Sequence, residues 1–155
     1  MRAKTCCVIG HRYIPAEKLE YLKRELRREI LQAVNEGYLH YISGFADGVD
    51  LCFAAIILEL KRKNPSLTLE AAIPYKKRFL QLLNNSQTKK MLMECSAIGI
   101  HSEKYHGNCF MNRNRFMVRH SSRVIAVYDG RDKGNTVFTM RVAAMLNRDI
   151  RVIEI

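Results

Sequence analysis

The chain has 155 residues, 48% of them hydrophobic, and a formal net charge of +11. That length fits one ordinary domain with a sizeable core, and the composition excludes a disordered tail. The charge attracts polyanions such as nucleic acid, nucleotides or acidic partners, while no apolar run approaches the roughly 18 residues needed to span a bilayer.

The start, MRAKTCCVIG, is basic, but its apolar run is too short for a signal-peptide core, so a cytoplasmic protein without a membrane segment is expected. Residues 5–9, TCCVI, predict a strand ending at Gly10. Leu19, Leu22, Leu26, Ile30 and Val34 recur at three and four residues, the stripe of an amphipathic helix, with Pro15 at its entrance and Gly37 at its exit. A strand over 38–42 leads into the turn SGFADGVD, and a largely buried helix runs from about Val49 to Lys63 before Asn64-Pro65 ends it. Leu67 to Ile73 alternates as a strand closed by Pro74. Residues 76–95 read as helix with a break at Asn84-Asn85-Ser86. A short strand follows at 97–101, then a polar loop, a helix near 110–120, a strand over 123–128, a helix over 136–146 and a last strand over 150–155. Strand and helix alternate throughout. The expected fold is therefore α/β: a Rossmann-like three-layer sandwich, its sheet mostly parallel with helices on both faces, in one domain spanning 1–155.

Cys6, Cys7, Cys52, Cys95 and Cys109 are odd in number and lack a CxxC spacing, which argues against a disulfide framework or a zinc site. Much of the positive charge interleaves with acids, as with Lys23, Arg24, Arg27 and Arg28 among Glu20, Glu25 and Glu29, and such residues read as a solvated helix face.

In folds of this kind ligands bind beyond the carboxyl ends of the strands, so the turns there carry the candidate site. Ser43, Gly44, Phe45 and Ala46 open the second such turn, and Asp47, Gly48 and Asp50 close it. Gly44 and Gly48 allow positive φ and close approach of a ligand, and the following helix offers free N–H groups to a phosphate. Asp50 is expected to cap that helix. Asp47 suits ribose hydroxyls or a base amine. A plain strand–helix turn with a cap would use the same residues. After the strand VIAVYDG, Asp129 and then Gly134, Asn135 and Thr136 repeat the pattern. Gly10, His11 and Arg12 add a third glycine and a cation, with a surface histidine on a loop as the alternative reading of His11. Arg113 and Arg115, two apart on a helix, cannot share a face. At most one enters the site, and the other is solvated.

TCCVIGHR, ISGFADGVD, NRNRFMV, SSRVIAVYDG and KGNT, in this order, resemble the YpsA-like family of the SLOG superfamily, named for Smf/DprA and the LOG proteins. The resemblance covers nearly the whole chain. It implies a Rossmann-like fold and a pocket for nucleotides or nucleotide-derived ligands. In the LOG phosphoribohydrolases an arginine precedes a PGGxGTxxE motif. Arg113 matches that arginine, but the glutamate's place falls on Thr139, so the carboxylate that supports glycosidic cleavage in those relatives is missing there, and Asp47, Asp50 or Asp129 would have to replace it. The DNA-processing relatives carry a similar SGFADGVD-type motif in a domain that binds single-stranded DNA. Base stacking needs exposed aromatics, and only Tyr13, Phe45, Tyr75 and Tyr105 fall in loops.

The leading expectation is binding of a nucleotide-derived small molecule such as linear or cyclic ADP-ribose, for sensing or sequestration. Nucleoside-monophosphate hydrolysis and single-stranded nucleic-acid binding are the alternatives. No residue is assigned a catalytic role, and no metal or cofactor is expected. Relatives of this kind often associate, so a homo-oligomer that completes the pocket is compatible with the sequence.

Overall fold

A computed structural model describes residues 4–155; Met1 to Ala3, part of the basic start weighed above, lie outside it. The chain alternates as the periodicity predicts. It runs β1 (Lys4–Ile9), α1 (Leu19–Asn35), β2 (Tyr38–Ser43), α2 (Val49–Lys63), β3 (Thr68–Ile73), α3 (Lys76–Leu83), α4 (Ser86–Met93), β4 (Ala97–Ile100), α5 (Cys109–Arg119), β5 (Arg123–Tyr128), α6 (Asn135–Met145) and β6 (Asp149–Glu154). A single 3-10 turn, Ala16–Lys18, follows Pro15 and leads into α1. The break between α3 and α4 has a local cause. The Asn85 side chain accepts hydrogen bonds from the N–H groups of Gln87 (2.9 Å) and Thr88 (3.1 Å) and so starts a new helix.

The six strands form one sheet in the order β4-β3-β2-β1-β5-β6, and every pairing is parallel. One face is covered by α1, α2, α3 and α4. Leu22, Leu26, Ile30 and Ala33 of α1 are fully buried there, with Phe53 and Ile57 of α2. Each such leucine, isoleucine or phenylalanine side chain contributes about 1.5–3 kcal/mol on burial. Met117 and Val118 of α5 and Ala143 of α6 cover the other face, against Cys7, Ile9, Val124 and Ala126. The result is a three-layer α/β/α sandwich. From β1 the chain winds outward through β2, β3 and β4, then returns to β5 on the other side of β1. That reversal opens a crevice where β1 and β5 end. Among the described residues, no helix is long and apolar enough to cross a membrane.

The opposite end of the sheet is held by charge. Arg123 is buried, with a side chain 4% exposed. It donates to both carboxylate oxygens of Glu36 (3.0 and 3.2 Å) and to Asp149 (2.9 Å), and its guanidinium lies 4.5 Å from the Tyr38 ring centre. The hydrogen bonds from Arg123 hold Glu36 below the usual carboxylate range, and those from Arg151 and then Arg123 do the same for Asp149. Carboxyls depressed in the folded state contribute stability at neutral pH and lose it as pH falls below about 4. Urea midpoints measured between about pH 6 and 2.5 are therefore expected to drop steeply in the acid limb. The Asp149→Asn variant is expected to start lower and fall less.

Candidate functional site

The turn after β1 and the turn after β5 meet directly. His11 is mostly buried, its side chain 9% exposed, and its Nε2 accepts the N–H of Asp129 at 3.2 Å. Burial lowers the His11 pKa, and an accepting Nε2 requires the neutral ring. The alternative of a surface histidine is thus overturned: His11 is a joint between two strand ends. Asp129 is engaged by Arg131, which donates to it through Nε at 2.9 Å and through Nη2, and this holds the carboxyl down at about 2.

The SGFADGVD turn is built differently from its sequence reading. The Ser43 hydroxyl is buried, donating to the Asp50 carbonyl (2.9 Å) and accepting from the Phe45 N–H (3.2 Å). Phe45 takes a positive φ of 53° and buries its ring completely, so that ring belongs to the core and is not a stacking platform. Gly48 does have positive φ (82°), but what approaches it is protein. A Cβ there would lie 2.4 Å from the Arg12 carbonyl oxygen. Gly44 does not have positive φ. It is required because a Cβ would lie 2.5 Å from Arg113 Nη1 and 2.7 Å from Asp50 Oδ2.

Asp50 is likewise not the helix cap. The cap position of α2 is Gly48, and the buried Asp50 carboxylate accepts the N–H of Ala46 at 3.3 Å. Burial raises its pKa and the neighbouring Arg113 opposes the rise. The Val49 N–H, at the start of α2, goes to the His11 carbonyl (3.2 Å). A buried carboxylate and a carbonyl thus occupy the end of α2 that the sequence offered to a phosphate. The start of α6 differs. Gly134, with φ 118°, precedes it without a side-chain cap, and Asn135 is exposed.

Arg113 is 4% exposed and reaches under the turn from α5. Nη1 donates to the carbonyls of Gly44 (2.7 Å) and Ala72 (3.3 Å), and Nε donates to Asn114 Oδ1 (2.8 Å). Arg115, as the spacing requires, is exposed. A cavity of about 140 Å³ lies between Arg12, Arg78 and Arg113 at the carboxyl ends of β2 and β3, with Ala46 and Asp47 on its rim and Tyr75 and Phe110 on its wall. Arg78 was missed by sequence. It donates to the Phe45 carbonyl (2.7 Å) and to Asp47 (3.2 Å). A signal was available in PYKKRFL, because Arg78 lies within the first turn of the helix that follows β3, beyond a strand's carboxyl end. Arg12 stacks on Phe110 at 4.1 Å, and Phe110 packs edge-on to Tyr75 and Tyr105. A second, open cleft of about 340 Å³ adjoins at Arg12, lined by Gly10, His11, Tyr13, Arg131 and the 134–136 turn.

Thr139, at the place of the hydrolases' glutamate, is fully buried. Its hydroxyl donates to the Asn135 carbonyl (2.6 Å) and accepts from Asn114 (3.1 Å), so it is a packed, satisfied group between α5 and α6.

The model of the YspA SLOG family (YpsA) matches residues 10–153. The chain belongs to this family. Among relatives of this YspA SLOG domain, a UPF0398 protein of Ligilactobacillus salivarius is 27% identical over 127 residues, covering 79% of this chain and 69% of its own. UPF0398 protein SH1465 of Staphylococcus haemolyticus is 25% identical over 131 residues, covering 82% and 70%. The fold is similar to that of DNA processing protein A from Helicobacter pylori, a single-stranded DNA-binding protein, with a TM-score of 0.68 and 20% identity over 97% of this chain. The chain spans 65% of that protein. The X-ray structure of TM1055 gives a TM-score of 0.62 at 17% identity, covering 95% of this chain and 72% of the other.

Proposed function

We propose that this YspA SLOG domain binds a nucleotide-derived ligand of the ADP-ribose class in the cleft at the ends of β1, β2, β3 and β5. The observation that carries the reading is the convergence of Arg12, Arg78 and Arg113 on one cavity. Among the described residues, only Arg78 of the three has a carboxylate within 4.0 Å. Three guanidinium groups face two carboxylates there, Asp47 paired with Arg78 and the buried Asp50 beside Arg113, which leaves an excess of positive charge for an anion, and their planar forks match phosphate. Phe110 and Tyr75 offer apolar rings beside them. The uncapped start of α6 supplies N–H groups to a second phosphate in the adjoining cleft.

Titration calorimetry with ADP-ribose tests this. Saturable binding is expected in the wild type. Arg12→Ala is expected to weaken it about ten- to hundred-fold, the worth of a charge-assisted hydrogen bond, with the unfolding midpoint little changed because Arg12 is exposed. Folded protein that gives no heat with ADP-ribose or nucleoside monophosphates would sink the proposal.

A second reading, single-stranded nucleic-acid binding, is favoured by the exposure of Tyr13 (80%) and Tyr105 (63%) near these arginines and by the likeness to the Helicobacter protein. It requires oligonucleotide affinity that falls steeply with salt, because many phosphate contacts release many counterions. Hydrolysis is not part of the proposal. Long incubation with nucleoside monophosphates is expected to yield no free base by chromatography, since Thr139 is buried and Asp129 is tied to Arg131. Base release abolished by Asp47→Asn would reverse that.

A further inference from the structure

We infer that Asp47 is an internal competitor for the anion seat, and that Arg78 is the residue it occupies. The inference rests on the cleft being a phosphate site and goes on to assign that site's selectivity. Arg78 is fixed: its side chain is 20% exposed, and the Phe45 carbonyl orients its Nη2 at 2.7 Å. Asp47 is loosely held: its side chain is 74% exposed and accepts from that same Nη2, at 3.2 Å. Both line the cavity shared with Arg12 and Arg113.

A carboxylate held here by one partly exposed ion pair is bound weakly and swings into water at little cost. A phosphate brings more charge and three acceptor oxygens, enough to engage Arg78 together with Arg12 and Arg113. It therefore displaces Asp47. A lone carboxylate ligand only exchanges like for like. Asp47 thus sets a threshold that phosphates pass and simple carboxylates do not. This differs from a residue that hydrogen-bonds to ribose, because its removal must tighten binding.

The experiment is calorimetry at fixed ionic strength with inorganic phosphate and, separately, ADP-ribose. Asp47→Asn is expected to bind phosphate about two- to five-fold more tightly, the range open to such an ion pair. Asp132→Asn, an equal change of charge on an exposed loop, is expected to leave the affinity nearly unchanged. Arg78→Gln should weaken wild-type binding, and in the double variant it should erase the gain from Asp47→Asn. Weaker binding by Asp47→Asn overturns the inference in favour of a direct ligand contact. Equal gains from the two asparagine variants overturn it in favour of general charge. If the folded wild type binds ADP-ribose but Asp47→Asn brings no gain, this inference alone falls. If it binds neither compound, the cleft reading falls with it.

Discussion

Gly48→Ala is expected to remove about 3 kcal/mol or more of folding stability. Two costs add. The backbone at Gly48 has φ 82° and ψ −122°, a region that L side chains avoid. A Cβ would also stand 2.4 Å from the Arg12 oxygen and 2.6 Å from the His11 oxygen. These are main-chain atoms, one of which, the His11 oxygen, accepts the Val49 N–H, so neither can rotate away as a flexible side chain would. Chemical unfolding in urea measures the effect. A loss below about 1 kcal/mol would mean the β1 turn yields freely and is not clamped to α2.

Arg113→Ala is expected to cost about 3 kcal/mol, against less than about 0.5 for Arg115→Ala. The buried guanidinium satisfies the Gly44 and Ala72 carbonyls, and its loss orphans both. It also removes the charge that opposes the burial of Asp50. A carboxyl whose pKa is raised on folding stabilises the folded state below its unfolded pKa and loses that contribution as pH rises through the folded value. Without Arg113 the Asp50 pKa climbs further. The deficit of the variant should therefore be widest near neutral pH and narrow toward about pH 4, as Asp50 takes up its proton. Paired urea titrations across that range decide it. A deficit that stays constant with pH would remove Asp50 from the explanation. Lost ligand affinity in this variant would not by itself identify a contact, since Arg113 also holds the turn together.

The elements and their order were readable because each carries its own period. Leu22, Leu26 and Ile30 mark a helix without knowledge of anything else, and Asn85 marks a break by its own chemistry. The turns that line the cleft were readable for the same reason, since strand ends are local events. What each turn residue does was not. Gly44 is small because Arg113 arrives from 69 residues further along the chain. Asp50 looked like a cap because the sequence cannot show that Ala46 folds back over it. Phe45 looked like a loop aromatic because the sequence shows neither its positive φ nor the burial of its ring in the core. Arg78 escaped notice because its partners, Phe45 and Asp47, lie 33 and 31 residues back along the chain.

The place of β1 at the middle of the sheet also fixes the order in which the molecule can be completed. β1, β2, β3 and β4 are made first and can pair in sequence as they emerge during synthesis. One edge of β1 then waits, unpaired, for β5, and the His11–Asp129 joint waits with it. The joint between the two turns is accordingly made after the first four strands, by a segment 118 residues further along the chain. A ligand seated across that joint touches an early and a late segment of the chain at once. Its binding stabilises only chains that have finished folding, and any nick in the loop before β5 that lets the two halves part abolishes it.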